Sequence, residues 1–116
     1  MQLIKAPNDF LKTKMDAFDF ESNDAPKIAE EMIRDMIKFN GVGLAANQVG
    51  LNGRIFVMKP QSGKPYAVIN PTIEKVSATS KLDIEGCLSF PNLFLYVNRP
   101  DKIEVNFLDI EGKNVT

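Results

Sequence analysis

Two short segments of the sequence contain the residues whose types and spacing could do chemistry. Residues 41–48, the Gln48 segment, read GVGLAANQ, and residues 85–89, the Cys87 segment, read EGCLS. Two glycines one residue apart permit close backbone approach, and Gln48 presents an amide with two N–H donors. Cys87 stands beside Gly86, which leaves its thiol little steric cover. Considered separately, each segment has a simpler interpretation. The Gln48 segment could be a helix C-cap that leads into a packed strand, and the Cys87 segment could contain a small buried cysteine.

The residue counts exclude several classes of site. The chain has 116 residues with one cysteine and no histidine, so it can form no intrachain disulfide, no Ser-His-Asp triad and no His-rich zinc site. A metal held by this chain alone would have Cys87 and carboxylates as ligands, a poor set for a tightly bound transition metal. We therefore expect Cys87 to be either a structural residue or one member of a larger site.

Charge and hydropathy predict where the chain acts. The net charge is −1 and the basic residues are scattered, so neither nucleic acid nor an anionic membrane is an expected partner. The first residues lack the apolar core of a secretory signal, and no apolar run approaches the length of a membrane span. Because Cys87 is the only cysteine and no intrachain disulfide can form, we expect a reducing, cytoplasmic location.

One amphipathic helix is predicted in the first third of the chain. Asp24 is a suitable N-cap, Pro26 is tolerated in the first turn, and Asn40 followed by Gly41 supplies a stop. The apolar residues between these signals recur at helical spacing and predict one buried stripe, which consists of Ile28, Met32, Ile33, Met36 and Ile37.

The rest of the chain has the pattern of strands. Short apolar runs predict strands at residues 55–58, 66–70, 93–97 and 102–109, and a polar β-branched run predicts an edge strand at 72–81. We expect Pro71 to end the second of these. Residues 109–112 predict a hairpin turn, with the returning strand starting at Lys113. The predicted fold is α+β, with one helix followed by mostly antiparallel strands in a single domain, residues 1–116.

Taken together, the two segments resemble the first two motifs of the peptide deformylase family, GxGLAAxQ and EGCLS. Their order, their separation by several predicted strands and the preceding helix all agree with that family. Arg99, placed before the strand at 102–109, also fits, so the resemblance runs over essentially the whole chain. It implies a deformylase-like α+β fold and a metal-dependent hydrolase that removes the formyl group from the formyl-methionine of nascent polypeptides.

The resemblance also implies a role for individual residues. Cys87 would be a metal-binding thiolate, while the Gln48 side-chain amide and the Leu88 backbone N–H would hold the developing oxyanion. Gly43 would align the substrate peptide as an added strand, and Val42 would help to line the methionine pocket.

Glu85, which we expect to be partly buried, and Arg99 would form an ion pair that holds the Cys87 segment in place. The implied partners are formyl-methionyl nascent peptides, with the ribosome as a candidate place of action.

The family's third motif, HExxH, is not among these residues. In the family a Cys and two His hold Fe²⁺, for which Zn²⁺, Ni²⁺ or Co²⁺ can substitute, and a Glu is the general base. We therefore expect a C-terminally incomplete domain without the central HExxH helix, which alone neither retains the metal nor cleaves substrate. Apolar residues such as Leu44, Ile69 and Phe107 would then be exposed and favour association.

Two alternatives stay open at this point. The chain could be a catalytically inactive deformylase-like module that binds a peptide or a protein. It could also be an unrelated β-rich binding domain in which the two motifs occur by coincidence.

Overall fold

The described part of the chain contains one α-helix and seven strands in two antiparallel sheets. A computed structural model describes residues 1–116 except the side chains of Asp83, Pro91 and Asn92. The elements are α1 (Ala25–Lys38), β1 (Gly43–Ala45), β2 (Ile55–Met58), β3 (Tyr66–Val76), β4 (Ser80–Cys87), β5 (Phe90–Pro100), β6 (Ile103–Leu108), β7 (Asn114–Val115) and 3₁₀ helices Asp9–Lys12 and Ala46–Val49. One sheet has the order β1-β2-β3-β6-β7, and β4 and β5 form the other. The predicted α+β class is confirmed.

Helix α1 begins and ends where its capping residues predict. The Asp24 carboxylate accepts a hydrogen bond from the Lys27 N–H at 3.1 Å, which satisfies one of the free donors of the first turn. At the other end Asn40 takes a φ of 60°, and the Gly41 N–H donates to the Met36 carbonyl at 2.9 Å. This left-handed turn directs the chain straight into β1.

The buried face of α1 is rotated relative to the predicted stripe. Met32 and Met36 are fully buried, and Ala25 and Ala29 complete the contact face, whereas Ile37 is 54% exposed. The reason is angular: positions 25, 29, 32 and 36 lie within one stripe, and Ile37 is a further 100° around the helix. Inclusion of Ile37 in the core stripe was therefore wrong, and small alanines, which carry a weak hydropathy signal, take part in it instead.

Strand β3 continues through Pro71, so the predicted end at this proline is wrong. Asn70 takes a φ of 50°, and the ladder shifts register between Ile69 and Thr72. The Asn70 carboxamide accepts from the Phe18 N–H at 2.7 Å and donates to the Phe18 carbonyl at 3.1 Å. Because Pro71 lies in this irregularity, its missing N–H removes no regular ladder bond.

The predicted edge strand at residues 72–81 is two strands separated by a turn. β3 ends at Val76, and β4 begins at Ser80. Between them the Ser77 N–H donates to the Lys102 carbonyl, and the Ser77 hydroxyl oxygen accepts from the Lys102 N–H, at 2.8 and 3.0 Å. The predicted strand at 93–97 lies inside the longer β5.

The turn after β6 was predicted correctly. The Gly112 N–H donates to the Asp109 carbonyl at 3.0 Å, and Gly112 takes a φ of 80°, which glycine adopts without strain. The returning strand is β7.

The main core lies between α1 and the strands β1, β2 and β3. Leu44, Val57 and Ile69 are almost fully buried there, and Phe107 is half-buried and stacks on Tyr66 with ring centroids 6.3 Å apart. The expectation that Leu44 and Ile69 would be exposed was wrong, because α1 covers them. Many of the exposed apolar side chains lie instead on the β4–β5 hairpin, among them Leu82, Phe94, Leu95 and Tyr96.

The 14-residue α1 does not meet the length needed to cross a membrane, and none of the described helices qualifies as a candidate span.

The rotation of the buried face can be tested with adjacent residues. Met36→Ala should lower the free energy of unfolding by about 2–5 kcal/mol, because it leaves a cavity in the core. Ile37→Ala, one position further along α1, should cost less than about 1 kcal/mol. Urea unfolding followed by circular dichroism measures both values. Equal costs for the two variants would mean that Ile37 belongs to the core stripe after all.

Candidate active site

The Gln48 segment and the Cys87 segment are in direct contact. A Cβ placed on Gly41 would lie 2.5 Å from Leu88 Cδ1, so the absence of a side chain at Gly41 lets Leu88 pack against the end of α1. Gly86 has a similar role, because a Cβ there would lie 2.7 Å from the Phe94 ring, its cross-strand partner. Gly41 and Gly86, one from each motif, therefore allow close packing around the site.

Strand β1 is an edge strand, and its register turns the Gly43 backbone outward. The Lys59 N–H donates to the Val42 carbonyl at 2.9 Å, and β1 pairs with β2 so that Leu44 lies opposite Val57. In an antiparallel ladder the residue between two hydrogen-bonded positions directs its N–H and C=O away from the partner strand. Gly43 thus offers one donor and one acceptor to an extended chain laid along this edge.

The Gln48 carboxamide is oriented by three contacts. Its Oε1 accepts from the Ala45 N–H at 3.0 Å, across the first turn of the 3₁₀ helix Ala46–Val49. Its Nε2 lies 3.2 Å from Ser89 Oγ and 3.5 Å from Cys87 Sγ. Because the oxygen end is fixed by a backbone donor, the two N–H donors of the amide must face the Cys87 segment.

Cys87 is an exposed free thiol, so its interpretation as a buried structural cysteine is wrong. The strand register shifts between Gly86 and Cys87, where β4 meets the start of β5. Leu88 follows Cys87 and packs against the main core through its partly buried side chain. The roles of Cys87 as a metal ligand and of the Leu88 N–H as an oxyanion donor stay predictions.

The N-terminal segment, residues 3–6, joins the two motifs, which the sequence did not reveal. The Ile4 N–H donates to the backbone carbonyl of Gln48 at 2.6 Å, and the Ala6 N–H donates to the backbone carbonyl of Ser89 at 2.8 Å. The Ser89 hydroxyl, in a residue only 2% exposed, donates to the Ile4 carbonyl at 2.6 Å. No local signal marks these partners, because they are 44 to 85 positions apart in the sequence.

These segments enclose an open groove of about 710 Å³, which is within the usual size range of ligand sites. Gln48 and Cys87 lie in it together with the Gly43 backbone. Its walls are largely apolar, and Val42 is 75% exposed at the rim. The other apolar wall residues include Leu88, Phe90, Leu93 and Phe94. The predicted catalytic and substrate-binding residues therefore share one groove.

Glu85 and Arg99 form a two-point ion pair on the hairpin. Arg99 Nε lies 2.6 Å from Glu85 Oε2, and a terminal nitrogen of Arg99 lies 2.9 Å from Oε1. Glu85 is 37% exposed and therefore partly buried, as expected, whereas Arg99 is 64% exposed, so the pair stays in contact with solvent. The hydrogen bonds from Arg99, and then its charge, hold the pKa of the Glu85 carboxyl below its ordinary value.

The residues of this chain do not fit a complete metal centre. Among the described side chains, no three His, Cys, Asp or Glu groups lie close enough together to hold a metal ion. The acid nearest to Cys87 in the sequence, Glu85, is engaged by Arg99. Cys87 could serve as one ligand, and a complete site needs donors from other residues.

The effect of Arg99 on Glu85 can be measured directly. In the Arg99→Gln variant the pKa of Glu85 should rise toward its ordinary value, as followed by the ¹³C shift of its carboxyl. Because the folded-state pKa is lowered, the pair stabilises the hairpin above the ordinary pKa and loses this effect as the pH falls through the lowered value. Arg34→Gln breaks the other exposed Arg–Glu pair, with Glu30, and is the matched control. A Glu85 pKa that is equal in all three proteins would show that the pair does not persist in solution.

Comparison with known proteins extends over the whole chain. A family model described as Polypeptide deformylase matches residues 1–116. A peptide deformylase of Thermotoga petrophila is 44% identical over 89 residues, which are 77% of this chain and 54% of that protein.

Among solved structures, the peptide deformylase from Thermotoga maritima superposes with a TM-score of 0.92 and 36% identity, covering 98% of this chain and 77% of that one. The enzyme from the Vibrio parahaemolyticus bacteriophage VP16T, solved in complex with actinonin, has a TM-score of 0.91 and 29% identity, covering 99% and 82%.

The chain spans about half the length of the Thermotoga petrophila protein that it matches. The match to the family nevertheless includes every residue of this chain, which excludes an unrelated β-rich domain with coincidental motifs. The arrangement of the two motifs around one groove, the fold and the comparisons agree: this chain belongs to the peptide deformylase family.

Proposed function

We propose that the chain forms the substrate-aligning, thiolate-bearing part of a metal-dependent hydrolase that removes the formyl group from formyl-methionyl nascent peptides. The observation that carries this proposal is the convergence of three groups on one groove. The Gln48 amide lies 3.5 Å from the Cys87 thiol, and the outward-facing Gly43 backbone lines the same space. Membership of the family supports the reaction class.

Substrate would bind as an additional strand along β1. An extended peptide can exchange two backbone hydrogen bonds with Gly43, while alternate side chains point into or away from the groove. The methionine side chain would enter the apolar part beside Val42. A phage relative has been solved in complex with actinonin, a peptide mimic, which supports a peptide ligand for this chain.

The formyl carbonyl would be stabilised by donors that are oriented before substrate arrives. Negative charge develops on its oxygen during hydrolysis, and an N–H of Gln48 Nε2 together with the Leu88 backbone N–H would interact with that oxygen. Because Ala45 already holds the Gln48 carboxamide, little reorganisation would be needed at the moment of reaction.

Cys87 would supply one ligand to the metal, for which we propose Fe²⁺, with Zn²⁺, Ni²⁺ or Co²⁺ as substitutes. The proposal requires two further ligands and a general base from outside these 116 residues, and we expect them on an HExxH motif. The Glu85–Arg99 pair would hold the Cys87 segment in position. Action in the cytoplasm, with the ribosome as a candidate place, is also part of this proposal.

The absence of a complete set of metal ligands among the described residues favours a second candidate function. Because Cys87 has no clustered metal ligands among the described residues, the groove could bind a peptide without cleaving it. The chain would then be a deformylase-like peptide- or protein-binding module. Both functions use the Gly43 edge, and they differ in whether the formyl group is removed.

Reconstitution distinguishes the two functions. The 116-residue chain, incubated with Fe²⁺ without oxygen, should carry less than one metal per chain and leave a formyl-Met peptide intact. Fusion of a segment that carries the HExxH motif expected for the family to Thr116 should give one metal per chain and hydrolysis. Metal analysis and release of formate provide the readouts.

The control for this experiment is the same fusion with Cys87→Ser, which should lose tight metal binding. A fusion that is folded and metal-loaded but inert would favour the binding module. One tightly held metal and enzymatic hydrolysis in the unfused chain would contradict the requirement for further ligands.

The role of Gln48 can be tested in the active fusion. Gln48→Ala should lower kcat by about two to three powers of ten, the usual effect of losing an oxyanion donor, while KM changes much less. Gln61→Ala, in the exposed loop between β2 and β3, is the matched control and should leave both constants unchanged. A decrease in kcat of less than about threefold would mean that Gln48 only caps its 3₁₀ helix.

A further inference from the structure

Ser89 lies at the centre of the contacts that join the two motifs, and the proposed function gives it no role. We propose that the Ser89 hydroxyl is a positioning residue, which aims the N–H donors of Gln48 at the groove. This proposal depends on the proposed function in one respect, namely that the Gln48 amide binds the formyl oxygen. Ser89 is 2% exposed, and its hydroxyl contacts both Gln48 Nε2 and the backbone carbonyl of Ile4.

The direction of each hydrogen bond follows from the donors available. The Ser89 hydroxyl has one hydrogen, and the Ile4 carbonyl, 2.6 Å away, can only accept it. Towards Gln48 the Ser89 oxygen therefore acts as an acceptor, and it can pair with Nε2 but not with Oε1. At the opposite end of the carboxamide, the Ala45 N–H can pair with Oε1 but not with Nε2. The two contacts together permit one orientation of the amide.

This arrangement leaves one Gln48 hydrogen directed away from Ser89. Nε2 has two hydrogens, and Ser89 Oγ at 3.2 Å takes one of them. The second is directed towards Cys87 Sγ, at 3.5 Å, on the side of the groove where a formyl oxygen would lie. A flipped amide would present its oxygen there, and an oxygen would repel the developing negative charge.

The N-terminal segment takes part in this positioning. The Ile4 N–H donates to the Gln48 carbonyl, and the Ile4 carbonyl accepts from Ser89. Ile4 is thus hydrogen-bonded both to the backbone of Gln48 and to the side chain of Ser89. A purely structural role for Ser89 would require only the bond to Ile4 and would leave the Gln48 amide insensitive to the hydroxyl.

The experiment observes the Gln48 amide itself in the 116-residue chain. The sequence has three glutamines, Gln2, Gln48 and Gln61, so labelling with ¹⁵N-glutamine gives three side-chain NH₂ pairs. The pair that disappears in Gln48→Glu is that of Gln48. In the wild type it should stand apart from the pairs of the exposed Gln2 and Gln61 and exchange more slowly with water.

Three substitutions then test the role of the hydroxyl. In Ser89→Ala the Gln48 pair should move towards the exposed pairs, and its exchange should be about tenfold faster, the factor for one lost hydrogen bond. Ser89→Thr keeps the hydroxyl and should retain the wild-type position. Ser77→Ala, the matched control, removes contacts with Thr79 and Lys102 and should leave the pair unchanged.

The outcomes separate positioning from structure. An unchanged Gln48 pair in folded Ser89→Ala overturns the proposal, as does an equal change in Ser89→Ala and Ser89→Thr. If Ser89→Ala does not fold, Ser89→Cys takes its place, because it keeps the volume but offers a weaker acceptor.

The active fusion adds a kinetic readout: Ser89→Ala should lower kcat about tenfold, with KM within about twofold. Absence of hydrolysis in every fusion would contradict the proposed function alone, since the amide signals decide the role of Ser89 independently.

Discussion

The carboxamide of Gln48 connects three segments that are far apart in the sequence. Its oxygen is held by the Ala45 N–H, its nitrogen faces Cys87 and Ser89, and Ser89 in turn donates to Ile4. Each polar end of the amide therefore has a protein partner before any ligand binds. A donor fixed in this way costs little reorganisation when charge develops beside it. The groove depends on this network, because the network brings the two motif segments together.

The end of α1 imposes the second constraint. The left-handed turn at Asn40 and the close contact of Gly41 with Leu88 bring the chain into β1 at the edge of the sheet. An exposed edge is a risk for aggregation unless it is short or shielded. Here β1 has three residues and lies along the groove, so the unpaired backbone of Gly43 is confined to the surface where a peptide ligand would lie. Helix capping and the proposed substrate alignment thus depend on the same few residues.

Local signals predicted part of this structure, and long-range contacts determined the rest. The ends of α1 and the turn at Gly112 follow from capping and turn chemistry within a few residues. The course of β3 through Pro71 could not be predicted, because it depends on the Asn70 carboxamide pairing with Phe18, 52 positions away. The motifs predicted which residues share the groove. They did not predict the contribution of Ser89, since its partner Ile4 lies in a segment with no recognisable pattern.

Two nearby residues of the β4–β5 hairpin, Glu85 and Cys87, make different contacts on either side of a register shift. In a regular strand, Glu85 and Cys87 would point to the same face. The ladder shifts register between Gly86 and Cys87, because Gly86 pairs with Phe94 and Cys87 with Phe90, and irregularities of this kind are common beside functional sites. The Glu85 carboxylate pairs with Arg99 across the hairpin, while the Cys87 thiol lies beside the Gln48 amide. The hairpin thereby combines a charged pair that holds its strands together with a thiol that is left exposed to the groove.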